Sequence, residues 1–513
     1  MGVPELRLRV RWHLLRSLRD GARPFLIIDE GAAGSACLLL PSANDRGAAT
    51  ISRMGDKGVD ARIIETELGR IRVLESDRGV VTAHAIPYAH AERFAVPVPV
   101  ATLAGERRTD ADGVFDATRR GTVFPQRPGH PDDAAGEFVV GMEQDEDCLT
   151  VTVTTPGLRS EAGGLAAGLP VMVWIHGGGY TNGSGEGQEY DAEDLVRKGI
   201  VVVAVTYRLG VCGYLNPDAD GPQNLGLRDQ LEALRWVHAH IADFGGDPER
   251  VTVAGQSAGG DAVLALLATP DARPLFQRAI VQSAPTGLKT KQYHAMREAL
   301  RGVVRERIGV GRDAAGAPID EVLDAQQAAV EESGKYGFSS GMPFAPQPGA
   351  EPLPQDVAAE LREAARTHEL LIGWTAEEAR AFIPTMPIGE TALRFGAPGR
   401  GVAGAVAAAM TRVIFSRPAR RVAGVWRAAG GTATTYMFDW EPGGTIYRAC
   451  HAIELPFIFS GDWTGAPMMA GRGPDPALAD RMRTAWARFV ARGTAGLPAP
   501  GRGYLRFGRG ATR

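Results

Sequence analysis

The pentapeptide GQSAG at residues 255–259 has the residue types and spacing of a nucleophilic serine. It fits the pattern Gly-x-Ser-x-Gly, in which small residues allow a sharp strand-to-helix turn that exposes the serine hydroxyl. The context agrees, because VTVA before the pattern predicts a strand and AGGDAVLALLA after it predicts a helix. A serine that only caps the helix is the alternative. We interpret Ser257 as a nucleophile.

The HGGG sequence at 176–179 follows its own predicted strand. A nucleophilic serine needs amide donors aimed at the oxyanion of the tetrahedral intermediate. Successive glycines allow the N–H groups of Gly178 and Gly179 to turn into the site, with the Ala258 N–H as a further donor. A flexible turn or a phosphate loop is the alternative, but phosphate loops end in lysine or open a helix directly, and YTNGSGEG does neither.

The serine also needs a base, and three histidines follow it in the chain: His294, His368 and His451. In hydrolases with this type of turn, the acid and then the histidine follow the serine. His451 stands in a loop after the predicted strand TATTYMFDW, whereas His368 precedes the strand LLIGW and would lie at its entry side. We therefore predict that His451 is the base.

The acid should follow a strand between the serine and His451. Glu377 and Glu378 come directly after LLIGW. Either could instead be a solvated carboxylate at a helix start. The residues alone leave the choice open.

These candidates follow strands that alternate with helices, a pattern typical of a mostly parallel, doubly wound sheet. Apolar runs predict strands at 171–176, 200–207, 251–255, 279–284, 370–374 and 432–440. Helical spacing predicts two amphipathic helices, one with Leu227, Leu231, Leu234, Val237 and Ile241, the other with Leu478, Met482, Trp486 and Phe489.

Composition limits the class of protein. Of the 513 residues, 44% are hydrophobic and 23% are charged, so a large core can form. A net charge of −4 argues against a dedicated nucleic-acid binder, which needs an electropositive face. Four cysteines cannot make a disulfide scaffold, and no apolar run reaches the length of about 18 residues that a membrane span needs. We expect a cytoplasmic protein.

Several ordered blocks make the chain resemble the type-B carboxylesterases, a family that also contains cholinesterases and non-enzymatic adhesion proteins. The blocks extend over about residues 62–500 and include AIPYAHAERF, EDCLTVTV, VWIHGGGY, FGGDPERVTVAGQSAGG, LLIGWTAEEARAF and HAIELPFIF. The resemblance implies the α/β-hydrolase fold for a domain at 60–505. We expect cap or pocket segments near 285–365 and 383–410, and a weakly structured extension at 1–59.

The resemblance also implies the role of each candidate. Ser257 is the nucleophile, His451 the general base and acid, and a glutamate the third member. The family spacing from Gly373 selects Glu378. The implied oxyanion hole comprises Gly178, Gly179 and Ala258. No metal or organic cofactor is implied.

Two positions depart from the family pattern. The residue before the nucleophile is commonly glutamate, and here it is Gln256, so a preference for cationic substrates loses its support. In extracellular members, the cysteine that corresponds to Cys148 forms a disulfide with an upstream cysteine. Phe124 stands at that upstream position here. We therefore expect a buried free thiol at Cys148, which agrees with a reducing compartment.

The sequence thus predicts a serine hydrolase that cleaves small-molecule carboxylic esters through an acyl-enzyme, without nucleic-acid partners or a membrane span. An acyltransferase or cyclase, an amidase and a lactonase would use the same triad and are alternatives. A binding module on the same fold would be expected to lose the serine or the histidine, and both are present. The oligomeric state is not readable from the residues.

Overall fold

The structure is a computed structural model that describes residues 59–128, 134–136, 139–157, 167–386, 394–499 and 503–508, and three short strands nearer the N-terminus. The chain divides into two compact units, Met1–Lys57 and Gly58–Arg513. None of the helices in the described ranges combines the length and the apolar composition that crossing a bilayer requires.

The first unit contains a three-stranded antiparallel sheet of β1 (Val10–His13), β2 (Phe25–Ile28) and β3 (Ala36–Leu39). Each of these strands has four residues. The weakly structured extension expected at 1–59 stays a prediction, because most of its residues lie outside the described ranges.

The second unit is built on a 12-stranded sheet in the order β17-β16-β15-β14-β13-β11-β12-β10-β6-β5-β4, with β9 paired to β5; β7 and β8 pair separately. Its strands are β4 (Val59–Thr66), β5 (Gly69–Ser76), β6 (Val81–Pro87), β7 (Ala89–His90), β8 (Val98–Pro99), β9 (Val114–Asp116), β10 (Thr150–Thr155), β11 (Leu169–Ile175), β12 (Val201–Val205), β13 (Gly246–Gln256), β14 (Arg278–Gln282), β15 (Glu369–Thr375), β16 (Ala433–Phe438) and β17 (Leu505–Phe507).

The sheet is mostly parallel, as predicted. Neighbouring strands from β12 through β11 and β13 to β17 run parallel, and the strands from β4 to β6 and β10 are antiparallel. All six strands predicted from apolar runs are present. Since parallel strands end at the same edge, the loops after β11, β13, β15 and β16 meet there.

The described helices are α1 (Glu193–Val196), α2 (Gly210–Tyr214), α3 (Leu225–His240), α4 (Ala258–Leu267), α5 (Tyr293–Ile308), α6 (Ile319–Ser333), α7 (Val357–Ala364), α8 (Gly396–Met410), α9 (Arg417–Ala428) and α10 (Pro476–Arg492). A π-helical segment, Thr411–Ser416, joins α8 to α9 without a break.

Helices cover both faces of the sheet, and β11 shows why. Successive side chains of a strand point to opposite faces. Val171, Val173 and Ile175 belong to one buried apolar cluster, which includes the predicted apolar face of α3. Met172 and Trp174 belong to a second cluster, which includes the predicted apolar face of α10. A strand buried on both faces reads as a continuous apolar run, so the two clusters account for the sequence VMVWI.

Candidate active site

Ser257 occupies the turn between β13 and α4, at φ +58° and ψ −123°. Positive φ is strained for a residue with a side chain, and such strain occurs at functional sites. Two glycines permit the turn. A Cβ on Gly255 would lie 2.5 Å from the carbonyl carbon of Gly259, and one on Gly259 would collide with the Ile175 carbonyl oxygen. The Ser257 N–H donates to the Gln282 carbonyl at 2.8 Å, which ties the turn to β14.

The glycine loop after β11 lies against this turn. Gly178 and Gly179 have φ of +106° and +64°. A Cβ on Gly177 would lie 3.2 Å from the Ser257 Cβ, so the loop approaches the serine closely because it lacks side chains. Among the described residues, none accepts a hydrogen bond from the N–H of Gly178, Gly179 or Ala258. The three predicted oxyanion donors are therefore available to a ligand.

His176 begins this loop and serves as a structural residue. Its ring stacks on Tyr207 with centroids 4.4 Å apart, and its Nδ1 lies 2.8 Å from the Gly177 carbonyl oxygen. Complete burial lowers the pKa of His176 to about 4, so the ring is neutral at neutral pH.

Glu378 and His451 are brought together from the loops after β15 and β16. His451 Nδ1 lies 2.6 Å from Glu378 Oε2, and the His451 backbone N–H donates to the Glu378 carbonyl at 3.1 Å. The other carboxylate oxygen accepts the Thr375 N–H at 2.7 Å. Glu378 is fully buried, so these contacts fix both its position and the orientation of the imidazole.

Glu377 has different surroundings from its neighbour. Its carboxylate forms ion pairs with Arg380 and, at 3.1 Å, with Arg448. About a quarter of its side chain is exposed, 24%. The geometry thus separates the two glutamates that the residues alone could not distinguish, and it pairs His451 with Glu378.

The other two histidines lie elsewhere. His368 is buried at the entry of β15, where its Nε2 lies 3.1 Å from the Arg273 carbonyl oxygen. Burial lowers its pKa. His294 is exposed on α5. Neither contacts the serine turn.

A cavity of about 620 Å³ opens over Ser257 and His451. Its wall is largely apolar and contains many flexible side chains, among them Leu288, Met142, Met342, Met386 and Met410. The π-helical segment contributes Ile414 and Phe415 to it. No Asp or Glu is among the described residues that line this cavity.

Two aromatic rings flank the imidazole. The Phe382 and Phe415 ring centroids lie 5.3 and 5.2 Å from that of His451. The π-helical segment is also anchored to the loop that carries Glu378, because the Ala379 N–H donates to Thr411 Oγ1 at 3.1 Å. Irregular turns of this kind are frequent at functional sites.

Glu454 is a buried titratable residue that the sequence analysis did not single out. One carboxylate oxygen accepts from Gln282 Nε2 at 3.3 Å, and the other has no partner among the described residues. Burial and the nearby Glu378 raise the pKa of Glu454 to about 7. Its position in HAIELPFIF, three residues after His451, was the available signal.

The sequence profile of the carboxylesterase family matches residues 60–394. The chain belongs to the carboxylesterase family. The predicted family membership and α/β-hydrolase fold are thereby confirmed, and the chain is a carboxylic ester hydrolase.

Individual relatives are similar to this chain along most of their length. A probable N-octanoylanthranilate hydrolase of Rhodococcus erythropolis is 37% identical over 428 residues, which are 82% of this chain and 91% of the relative. Para-nitrobenzyl esterase of Bacillus subtilis is 32% identical over 467 residues, 84% of this chain and 90% of the esterase. A Geobacillus stearothermophilus carboxylesterase structure matches with a TM-score of 0.68 at 28% identity, covering 87% and 96% of the two chains.

Proposed function

We propose that this carboxylesterase works through an acyl-enzyme, with Ser257 as the nucleophile, His451 as the general base and acid, and Glu378 as the residue that orients the imidazole. The 2.6 Å contact between His451 Nδ1 and Glu378 Oε2 supports this proposal most directly. An ionised carboxylate can only accept hydrogen bonds, so Nδ1 carries the proton and Nε2 is left as the base.

The steps follow from these roles. Nε2 of His451 takes the Ser257 proton as Oγ attacks the ester carbonyl carbon. The oxyanion that forms accepts hydrogen bonds from the N–H groups of Gly178, Gly179 and Ala258. His451 then returns the proton to the leaving alcohol. Water then attacks the carbonyl carbon of the acyl-enzyme, with His451 again as base and then as acid, and the carboxylic acid and free Ser257 are released.

The cavity supports a small, largely apolar ester as substrate. Its methionine side chains can adapt to acyl or aryl groups of different shape. Because no carboxylate is among the described residues of its wall and Gln256 is neutral, this part of the wall has no negative charge to attract a cationic alcohol. We propose esters of uncharged alcohols or phenols with apolar acyl groups.

Cleavage of an N-acyl bond is a second candidate. One of the most similar relatives is named as a probable hydrolase of N-octanoylanthranilate, in which the acyl group is on a nitrogen. The same triad can acylate from an amide if His451 protonates the leaving amine. A comparison of matched octanoyl esters and octanoyl anilides would rank the two activities.

A fluorophosphonate probe tests the nucleophile. We expect covalent labelling of Ser257, and we expect Ser257→Ala to abolish both labelling and the hydrolysis of short-chain aryl esters. Peptide mapping of the labelled enzyme and ester assays on the folded variant provide the measurement. Labelling at another residue, or full activity in the alanine variant, would contradict the proposed role.

We also propose a cytoplasmic location. Cys148, Cys212 and Cys450 are buried free thiols in the structure, and free thiols persist in reducing compartments. Fractionation of the producing cell tests the proposal, and recovery of the protein outside the cytoplasmic fraction would contradict it.

A further inference from the structure

We infer that Gln256 is a positioning residue that holds the imidazole of His451 through its Nε2, so that Ser257 must displace the Gln256 amide from Nε2 before it reacts. The inference rests on the proposed roles of Ser257 and His451. The observation behind it is a contact of 3.2 Å between Gln256 Nε2 and His451 Nε2.

The chemistry of the imidazole fixes which group donates in this contact. Nδ1 of His451 lies against Glu378 Oε2, a carboxylate oxygen, so Nδ1 bears the hydrogen. Nε2 then has a lone pair and accepts. Gln256 must therefore present its NH2 group to Nε2, because its carbonyl oxygen there would face that lone pair.

This hydrogen bond occupies the atom that the reaction needs. A neutral imidazole nitrogen has one lone pair, and general-base catalysis requires it to accept the serine proton. The Ser257 hydroxyl forms no hydrogen bond with any residue in the described part of the chain. In the structure the base is thus bonded to Gln256, and the serine lacks the hydrogen bond that would activate it.

The carboxamide is confined where it lies. Gln256 is the last residue of β13 and is only 3% exposed. A Cβ on Gly177 would lie 2.9 Å from Gln256 Oε1, so the glycine loop leaves just enough room for the amide. The imidazole on the other side is flanked by Phe382 and Phe415.

The charged and titratable groups around His451 make the neutral amide significant. Glu378 contacts Nδ1, Glu454 lies three residues further along the chain, and the Cys450 thiol is adjacent. A glutamate in place of Gln256 would add a carboxylate at Nε2 itself. Two carboxylates beside the ring stabilise its protonated form more than one does, so that form would persist to higher pH than it does beside the neutral amide.

The test compares the rate of fluorophosphonate labelling in the wild type, Gln256→Met and a matched surface control, Gln292→Met. Methionine keeps the length of the side chain but cannot donate. We expect Gln256→Met to be labelled about two- to tenfold faster, the effect of removing one neutral hydrogen bond that competes with the serine. The control should match the wild type, because Gln292 is exposed at the start of α5.

Gln256→Asn provides a second variant, since it keeps the amide but is too short to reach Nε2, and it should also be labelled faster. Gln256→Glu should shift the acidic limb of the labelling rate to higher pH, which a packing role alone would not do. Equal or slower labelling of both neutral variants would overturn the inference. If the wild type were not labelled at Ser257, the proposed function would fail as well, so the two failures are distinguishable.

Discussion

Glu377 and Glu378 are adjacent in the chain, yet their carboxylates differ in burial and in partners. Glu378 is enclosed with His451, whereas Glu377 is paired with two arginines near the surface. An acid that fixes the imidazole tautomer contributes up to about four orders of magnitude in turnover. We expect Glu378→Gln to lower kcat by roughly two orders of magnitude or more, and Glu377→Gln to leave it within severalfold.

Steady-state kinetics on the two purified variants provide the measurement. Both proteins should unfold cooperatively, so that a difference in kcat is not a difference in folding. The reverse ranking would assign the acid to Glu377 and contradict the family spacing.

Glu454 makes stability depend on pH. Its pKa is about 7 in the folded protein, against an ordinary value of 4.5. Between these values the unfolded chain has lost the proton and the folded one keeps it, so the free energy of unfolding falls as pH rises from about 4.5 to about 7. The fall is on the order of 1.4 kcal/mol per pKa unit. Below about pH 4.5 the contribution of Glu454 to the free energy of unfolding is constant, because the carboxyl is protonated in both states.

Glu454→Gln should therefore gain stability relative to the wild type as pH rises through this window, and the gain should level off above it. Urea unfolding of both proteins at pH 5 and pH 8 measures the difference. A stability difference that is the same at both pH values would show that the carboxyl titrates normally.

The start of α4 has no room for a side chain at Gly259, whereas the middle of α9 has room at Gly424. A Cβ on Gly259 meets the Ile175 and His176 carbonyl oxygens, and one on Gly424 has no atom within 4 Å. We expect Gly259→Ala to destabilise by about 1–3 kcal/mol, the cost of overpacking. Gly424→Ala should stabilise by about 0.5–1 kcal/mol, the gain in helix propensity. Urea midpoints of the two variants measure both, and a stable, fully active Gly259→Ala would contradict the close approach.

Elements with a strong local pattern were predictable from the sequence. The apolar spacing of α3 and α10 identified their buried faces, and the apolar runs identified the central strands. The π-helical segment at 411–416 was not predictable. The segment contacts the loop that carries Glu378, and its side chains form part of the cavity wall. The local sequence does not encode either of these tertiary contacts.

The division of the chain near residue 58 leads to a prediction about truncation. Gly58–Arg513 is a compact unit and contains every proposed catalytic residue. We expect a protein that begins at Met54 to fold and to keep its esterase activity. Circular dichroism and ester assays beside the full chain test this. An insoluble or inactive truncation would show that the domain needs residues 1–53.

The arrangement of the site was only partly predictable for a related reason. Motifs and chain order indicated Ser257 and His451, and the family resemblance selected Glu378. The contact of Gln256 with His451 joins residues 195 positions apart and depends on how the end of β13 meets the loop that carries His451. The low exposure and raised pKa of Glu454 also follow from packing between distant segments. Only the folded chain reveals such contacts.

Each of the three proposed catalytic residues follows the end of a different strand: β13, β15 or β16. In the sheet, β16 pairs with β15, and β14 lies between β15 and β13. Glu378 and His451 are 73 residues apart. Pairings between distant segments form slowly, because long loops must close first. The recovery of ester hydrolysis during refolding would therefore report when the sheet is complete. Turnover should recover no earlier than the long-range pairing, and later than the far-ultraviolet signal of the helices.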